Sequence, residues 1–500
     1  MGFLHLTQVS LSGTSTSAFP HLLETNAAPG ASDASIIRSE INLAEKDILL
    51  IGNELLELHS VEKSLKQRHA ELQQYVDAYR PVISAVRRLP PEILLLIFRL
   101  CRPSQDSQGW KYPWSLSMVC RKWRSVALSA PHMWSTIFIK PKNASSSRVV
   151  SYTRALIQRS AMAPLIVRFT IRNIHFTCLR MLLSVSQRWR KATIVFSGED
   201  TYCRSFCSLR GRLPVLRELV LIGGSTDEDD IFRDYADVFW NAPSLESLSI
   251  VNLPLPVFRL PWHQLRRLDI QYSDQDSEDE EDFNLYLQDV LRNLPLLVEL
   301  KISILATFFD EYTEPITLPC LARLEAACDT RFFHLITLPS LQTLISAPSS
   351  VEDNSGVYRA SPINSLLSRS RCSLTYLKIH STDVLAEDAM TIFQEAPALA
   401  HLEVDRFFIV TRQLFNALTL RPTQINLLPK LSTVNIWAEE IAGAEAVDAA
   451  LEFCESRRMS DLQVKLASAF FDWDTRLFDA PSRAYRIQRL IDAGLEINVR

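Results

Sequence analysis

The sequence predicts an α/β chain: mainly a solenoid, a curved parallel sheet backed by helices, preceded by a small all-α module and a long N-terminal heptad helix. Three observations carry this expectation. A phrase of the form Pro-x-Leu-x-x-Leu-x-Ile returns again and again from about residue 214 to 436. Two short apolar helical patterns lie close together within 89–135. An apolar period of alternating three and four steps runs through 36–80 without a proline.

Composition sets the outer bounds. The 500 residues exceed one ordinary domain, and 47% are apolar, enough for a large core. Mean hydropathy is +0.03, the net charge is −4 and the pI is about 6.2. Neither nucleic acid nor an anionic membrane is an expected partner on that balance. Nine scattered cysteines, an odd number, argue against a fully paired disulfide set and for a reducing compartment, cytoplasm or nucleus. No apolar run approaches a membrane span, and the start MGFLHLTQVS lacks the basic and apolar regions of a signal peptide.

Residues 1–35, rich in Ser, Thr, Ala and Pro, read as a disordered tail. The heptad helix occupies 36–84. Ile41, Ala44, Ile48, Ile51, Leu55, Leu58, Leu65, Leu72, Val76 and Tyr79 form its seam, with Glu62 and His69 at the two remaining positions. Such a seam either dimerises as a coiled coil or packs on the neighbouring module, and the pattern leaves both open.

The segment 85–135 forms the all-α module. Pro90 and Pro91 suit a helix start, because the missing N–H would find no partner there anyway. Glu92 adds favourable charge at that end, and Ile93, Leu94, Ile97, Phe98 and Cys101 supply an apolar stripe. After a polar turn, Arg102–Gly109, a second helix is expected over roughly Leu116–Ser129, stopped by Pro131 and followed by Trp134.

The solenoid is assigned to 136–440. Its phrases begin at Leu216/Leu219/Leu221 and Leu245/Leu248/Ile250 and continue at Leu265/Leu268/Ile270, Leu297/Leu300/Ile302, Leu321/Leu324, Leu341/Leu344, Leu374/Leu377/Ile379, Leu399/Leu402/Val404 and Leu431/Val434/Ile436. Successive starts lie 20 to 33 residues apart, in and just above the leucine-rich-repeat range. Leucines at the first, fourth and sixth places turn a strand's apolar side inward, and proline stops the preceding helix. One strand with one helix cannot bury its own apolar face, so the units must stack. The Asn that usually closes the repeat strand is mostly missing, which makes the array degenerate. The runs Ser135–Ile139, Leu165–Ile171 and Ala192–Phe196 follow a similar step and read as earlier strands. Ile231–Trp240 and Phe283–Asn293 read as connecting helices, Ser273–Asp282 as an acidic solvated loop and 347–370 as a second loop. Residues 441–500 read as a helical cap built on Ile441–Arg458 and Ser482–Ala493.

The all-α segment resembles an F-box. The likeness rests on Leu89-Pro90-x-Glu92-Ile93-Leu94, Ile97-Phe98, Val119-Cys120-Arg121-x-Trp123-Arg124 and Met133-Trp134, about a tenth of the chain. The layout, a heptad helix before the box and degenerate repeats after it, resembles F-box proteins of mushroom-forming fungi. The expected architecture is thus an F-box between a heptad helix and a leucine-rich-repeat-like solenoid. The resemblance implies a substrate-receptor subunit of a Skp–cullin–F-box ubiquitin ligase, with no catalytic residues, no cofactor and no metal. It implies a Skp-type adaptor, a cullin reached through that adaptor, and an unknown protein substrate. Leu89, Pro90, Ile93, Leu94, Ile97, Phe98, Leu116, Val119, Cys120 and Trp123 would face the adaptor or shape the module. An Asp at Leu94 is expected to abolish adaptor capture. The substrate would meet residues between the strand leucines: Arg217, Arg266, Arg267, Asp269, Lys301, Tyr376, Lys378 and His401. A non-ligase leucine-rich-repeat scaffold is the alternative.

No glycine-rich phosphate loop, nucleophile elbow or H-E-x-x-H occurs, and only twelve glycines exist to build such turns. Cys203 and Cys207 have no nearby His or Cys pair to complete a zinc site and read as reduced thiols. Trp123, Trp134, Trp189, Trp240 and Trp437 read as core.

Overall fold

The computed structural model describes residues 19–101, 112–139, 147–171, 174–196, 203–223, 236–253, 258–272, 280–304, 314–347, 360–380, 386–407, 412–421, 426–438, 444–459, 464–472 and 480–499. The chain divides into two compact units, Met1–Leu94 and Leu95–Arg500.

The first unit holds α1 (Pro20–Glu24), α2 (Ala31–Tyr79), α3 (Ala85–Arg88) and the start of α4 (Pro91–Leu100). Helix α2 runs for 49 residues and buries none of them. It begins five residues before the expected boundary at 36, and α1 is helical too, so the stretch 20–35 read as disordered tail is partly ordered. Residues 1–18 lie outside the described residues. Helix α2 ends just before Pro81, which has no N–H to continue the ladder, and Arg80 before it keeps helical geometry and donates its N–H to the Val76 carbonyl.

The second unit continues with α5 (Tyr112–Val119), α6 (Arg121–Leu128), β1 (Thr136–Ile139), α7 (Ser147–Arg159), β2 (Leu165–Thr170), α8 (Phe176–Ser184), β3 (Trp189–Val195), β4 (Glu218–Ile222), β5 (Ser247–Val251) and β6 (Arg267–Tyr272). Next come α9 (Glu280–Arg292), β7 (Glu299–Ile304), β8 (Ile316–Thr317), β9 (Arg323–Ala327), β10 (Ile336–Thr337), β11 (Thr343–Ala347), α10 (Ala360–Ser370), β12 (Tyr376–His380) and α11 (Ala386–Glu395). The unit closes with β13 (His401–Phe407), α12 (Arg412–Leu418), β14 (Thr433–Ala438), α13 (Ala444–Arg458), β15 (Ser468–Asp472), α14 (Pro481–Asp492) and β16 (Glu496–Val499).

Among the described residues, fourteen strands form one parallel sheet in chain order, from β1 to β16, with β8 and β10 set aside as a separate two-stranded pair. The repeat leucines explain the register. Leu219, Leu248, Leu268, Leu300, Leu324, Leu344, Leu377, Leu402 and Val434 are successive Cα partners across neighbouring strands. All are buried, as is the second ladder, Leu221, Ile250, Ile270 and Ile302. A slip of one residue would turn both ladders outward, so burial fixes the pairing.

Three arginines satisfy turn carbonyls between repeats. Arg188 donates to the carbonyls of Ser160 and Ala163, Arg369 to those of Phe333 and Ile336, and Arg457 to those of Leu418, Leu427 and Leu428. Each guanidinium ties a turn of the preceding repeat to its own, and the fork shape of arginine suits several carbonyls at once.

Several expectations change. Residues 236–241, expected within a helix, form turns, and 224–235 lie outside the described residues. Of the acidic loop, 273–279 lies outside the described residues and Glu280 already begins α9. Of the loop at 347–370, 360–370 is α10 and 348–359 is not described. The final segment is not wholly helical: β15 and β16 extend the sheet to Val499. Gly494, at φ +85°, allows the sharp return from α14 into β16, and a Cβ there would stand 2.5 Å from the Arg458 guanidinium. Among the described residues no helix is long and apolar enough to cross a membrane.

Candidate functional site

Helix α4 carries two apolar stripes. Leu94 and Phe98, four residues apart, are each 1% exposed. Ile93, Leu96, Ile97 and Leu100, spaced i, i+3, i+4 and i+7, are exposed, Leu100 at 85%. A ten-residue helix with both faces apolar buries one of them in its own module and leaves the other to solvent. In the second unit α4 is held by the Phe98 ring, 4.9 Å from that of Trp123 on α6, and by Arg99, whose Nε donates to Nε2 of His132 at 2.8 Å.

The expected single helix over 116–129 is two helices. Cys120 breaks it: its backbone is extended (φ −158°, ψ 172°), and its Sγ accepts from the Trp123 N–H at 3.5 Å as a weak N-cap. Arg124 Nε then donates to the Ser117 carbonyl at 2.8 Å and joins the two helices. The break leaves Met118 (76%) and Val119 (59%) exposed at the end of α5.

The module is welded to the sheet by an aromatic cluster. Trp134 is fully buried and donates Nε1 to the Ala127 carbonyl at 2.7 Å. Trp114 meets it edge-on, with ring centroids 5.2 Å apart. The Arg159 guanidinium on α7 lies 4.2 Å from the Trp114 ring centre and 4.5 Å from that of Trp134. Burial lowers the pKa of Arg159 and pushes the nearby Tyr152 phenol up to about 12. Tyr112 and Trp114 lie in α5, which begins four residues before the expected start at Leu116, whereas the turn Arg102–Gly109 lies outside the described residues.

The ten box residues therefore separate into two sets. Leu94, Phe98 and Leu116 are buried, and Leu89 and Trp123 are half-buried. Pro90, Ile93, Ile97, Val119 and Cys120 are exposed. An Asp at Leu94 would therefore disrupt the module itself, and Ile97 is the sounder probe of docking. Leu96, Leu100 and Met118 belong with the exposed set and were not singled out from motif positions. For Leu96 and Leu100 the signal in the sequence is the helical spacing opposite Leu94 and Phe98 on α4.

A second polar surface lies on the outward side of the sheet. Arg267, Asp269 and Lys301 share a groove of about 390 Å³ with Lys191, Glu218, Glu299, Arg323 and Glu325. Its charges are paired across strands: Lys191 with Glu218 at 2.9 Å and Lys301 with Glu325 at 2.7 Å. The Glu325 partner raises the Lys301 pKa. Farther along, the Tyr376 and His401 rings stand 6.3 Å apart, and Lys378 pairs with Glu403 at 3.0 Å and lies 5.5 Å from the Trp437 ring centre. Burial, then Glu403, pushes the Tyr376 phenol up to about 12. Trp437 and Phe470, 5.3 Å apart, complete this aromatic patch. Arg217 and Arg266 sit one residue before β4 and β6, on the strand-entry edge, apart from both clusters.

Of the tryptophans expected in the core, Trp134 and Trp189 are buried, whereas Trp240 is 58% exposed and Trp437 is half-buried on the outward face. Strand parity would have placed Trp437 there, because it follows the inward Ile436. Cys207 is half-buried and in no disulfide, and no group of three or more His, Cys, Asp or Glu among the described residues could hold a metal.

No curated protein matches the chain. Among solved structures, the crystal structure of a TLR13–ssRNA13 complex is 14% identical, with a TM-score of 0.28. That match covers 62% of this chain and 49% of the other, so the chain spans about half the length of that receptor. A score so low carries no argument for fold or ligand. The family comparison falls on the all-α module: residues 86–140, which contain α4, α5 and α6, match the F-box-like domain family.

Proposed function

We propose that the chain is a substrate receptor of a Skp–cullin–F-box ubiquitin ligase. The observation that carries this reading is the uncovered apolar stripe of α4, Ile93, Leu96, Ile97 and Leu100, lying within the F-box-like match. F-box domains generally bind Skp-type adaptors, and four neighbouring aliphatic side chains are the kind of anchor a helical partner covers. Leu94, Phe98 and Leu116 hold the module's shape, while Ile97 and Val119 meet the adaptor. The aromatic cluster of Trp114, Trp134 and Arg159 fixes the box rigidly to the sheet, so that whatever the sheet holds is carried at a set position.

The sheet is read as a degenerate leucine-rich-repeat solenoid, supported by parallel strands in chain order and by the leucine ladder. This arrangement, with a heptad helix before the box, fits the layout found in mushroom-forming fungi. A protein substrate docks on the outward face. There the ladder from Lys191 to Glu325 is largely self-neutralised, so the aromatic patch of Tyr376, His401, Trp437 and Phe470 supplies the anchors. The chain does no chemistry. It raises the concentration of substrate near a conjugating enzyme held elsewhere on the assembly, in the reducing cytoplasm or nucleus.

Co-expression with a Skp-type adaptor and a cullin tests the reading. The tagged chain is expected to co-purify both, and Ile97→Asp to lose both while keeping its circular dichroism. Trp437→Ala with Phe470→Ala is expected to retain both and lose substrate proteins. Co-purification undiminished by Ile97→Asp refutes the docking assignment.

A further inference from the structure

Helix α2 presents a heptad seam that is not buried among the described residues: its 49 residues include none in the buried class. The a positions are Ile41, Ile48, Leu55, Glu62, His69 and Val76, and the d positions are Ala44, Ile51, Leu58, Leu65, Leu72 and Tyr79. We infer that α2 is a dimerisation element, pairing in parallel and in register with α2 of a second copy of this chain.

The composition of the two rows selects the geometry. Every d residue is apolar. In an antiparallel pair a residues pack in layers with d residues of the partner, so Glu62 and His69 would both be buried against aliphatic side chains in any register. In a parallel, in-register pair each polar layer meets its own copy, and ten layers remain apolar. The Glu62 charge is also accompanied within its own helix: Lys66 Nζ lies 2.6 Å from Glu62 Oε1. A polar pair at an a position costs stability but fixes register, the best-attested use of such residues.

The area suffices. Eight apolar seam side chains from each helix, from Ile48 onward, at roughly 60 Å² apiece bury about 1,000 Å², close to the lower bound for a specific interface. Helix α1 shares a groove with Ile41 and Ala44, so the first layers are partly occupied and the free seam begins at Ile48. A second exposed stripe, Leu43, Leu49, Leu50 and Leu56, lies on the opposite side but ends at residue 56, whereas the seam continues to Tyr79. Only the seam has the length of a coiled coil.

Light scattering of the purified full-length chain at micromolar concentration is the test. The expected mass is twice the 56.9 kDa of one chain. Leu58→Asp with Leu65→Asp is expected to weaken association at least 100-fold and give the single-chain mass with the sheet's circular dichroism unchanged. Leu65→Cys is expected to cross-link to itself on mild oxidation, mapped by peptide mass spectrometry, because only a parallel, in-register pair brings 65 to 65. A single-chain mass for the wild type, an assembly other than a dimer, a dimer that survives the double substitution, or no 65-to-65 link each overturns the inference. None of these readouts depends on an adaptor.

Discussion

Replacing Arg457 with Met should loosen the sheet near β14 by a predictable amount. Arg457 is 2% exposed and sits in the last turn of α13. Its Nε and Nη2 donate to the Leu418 carbonyl at 3.0 and 2.8 Å, Nη1 to that of Leu428 at 2.7 Å and Nη2 to that of Leu427 at 2.7 Å. Leu428 is held at φ +50°, a left-handed geometry that a branched-chain residue adopts at some cost, and the guanidinium is one of the contacts that keep it there. Desolvation lowers the Arg457 pKa to about 10, so the group is still a cation at neutral pH. Methionine keeps the apolar stem and removes every donor; the Leu428 carbonyl keeps the Leu431 N–H at 3.1 Å, while the Leu418 and Leu427 carbonyls lose the guanidinium at roughly 1 kcal/mol each, about 2 kcal/mol together. In a stacked array that cost is felt by the neighbouring repeats first. Hydrogen exchange of the α12 and β14 amides should accelerate about 30-fold, with β2 and β3 unchanged. Arg457→Lys should recover less than half, since one ammonium cannot serve three carbonyls set in a fork. Exchange altered by less than about threefold at α12 and β14 would refute the view that these arginines carry the turns.

Two further outcomes follow from charge and burial. Arg483 donates to both carboxylate oxygens of Asp448, at 2.9 and 2.8 Å, and lowers the Asp448 pKa, so this pair favours the folded state above the ordinary carboxylate pKa of 3.8 and is lost as pH falls through the lowered value. Asp448→Asn should cost about 0.5 kcal/mol at neutral pH, because the carboxylate is half exposed, and should cost nothing at pH 2; thermal unfolding at the two pH values measures this. Native alkylation at pH 8 should label the exposed Cys101, Cys120 and Cys320 and spare the buried Cys178, Cys328 and Cys454, whose pKa values burial raises (Cys454 to about 12). Labelling of Cys328 or Cys454 at the rate of Cys320 would contradict the packing.

What could be read from the sequence divides along physical lines. The leucine ladder was legible because burial on one face imposes a strict parity, and parity survives when other repeat signals decay. The arginine ties were not, because Arg188, Arg369 and Arg457 stand at no fixed offset from the leucines and act on carbonyls 25 to 39 residues away. The break at Cys120 was hidden because neither Pro nor Gly marks it, and a thiol is an unusual cap. Strands β15 and β16 were missed because their phrases, Ser468–Asp472 and Glu496–Val499, lack the paired leucines. In the box, the motif located the module, but only burial separated Leu94 and Phe98, which shape it, from Ile97 and Leu100, which face outward.

The direct test of the central claim is the affinity of the full-length chain for a purified Skp-type adaptor, measured by titration calorimetry for the wild type and for Ile97→Asp with Leu100→Asp. Two interface anchors of about 2 kcal/mol each are being removed, so binding should weaken about 1,000-fold while the fold is retained. Equal affinities for the two proteins, or a wild type that does not bind the adaptor, would contradict the account.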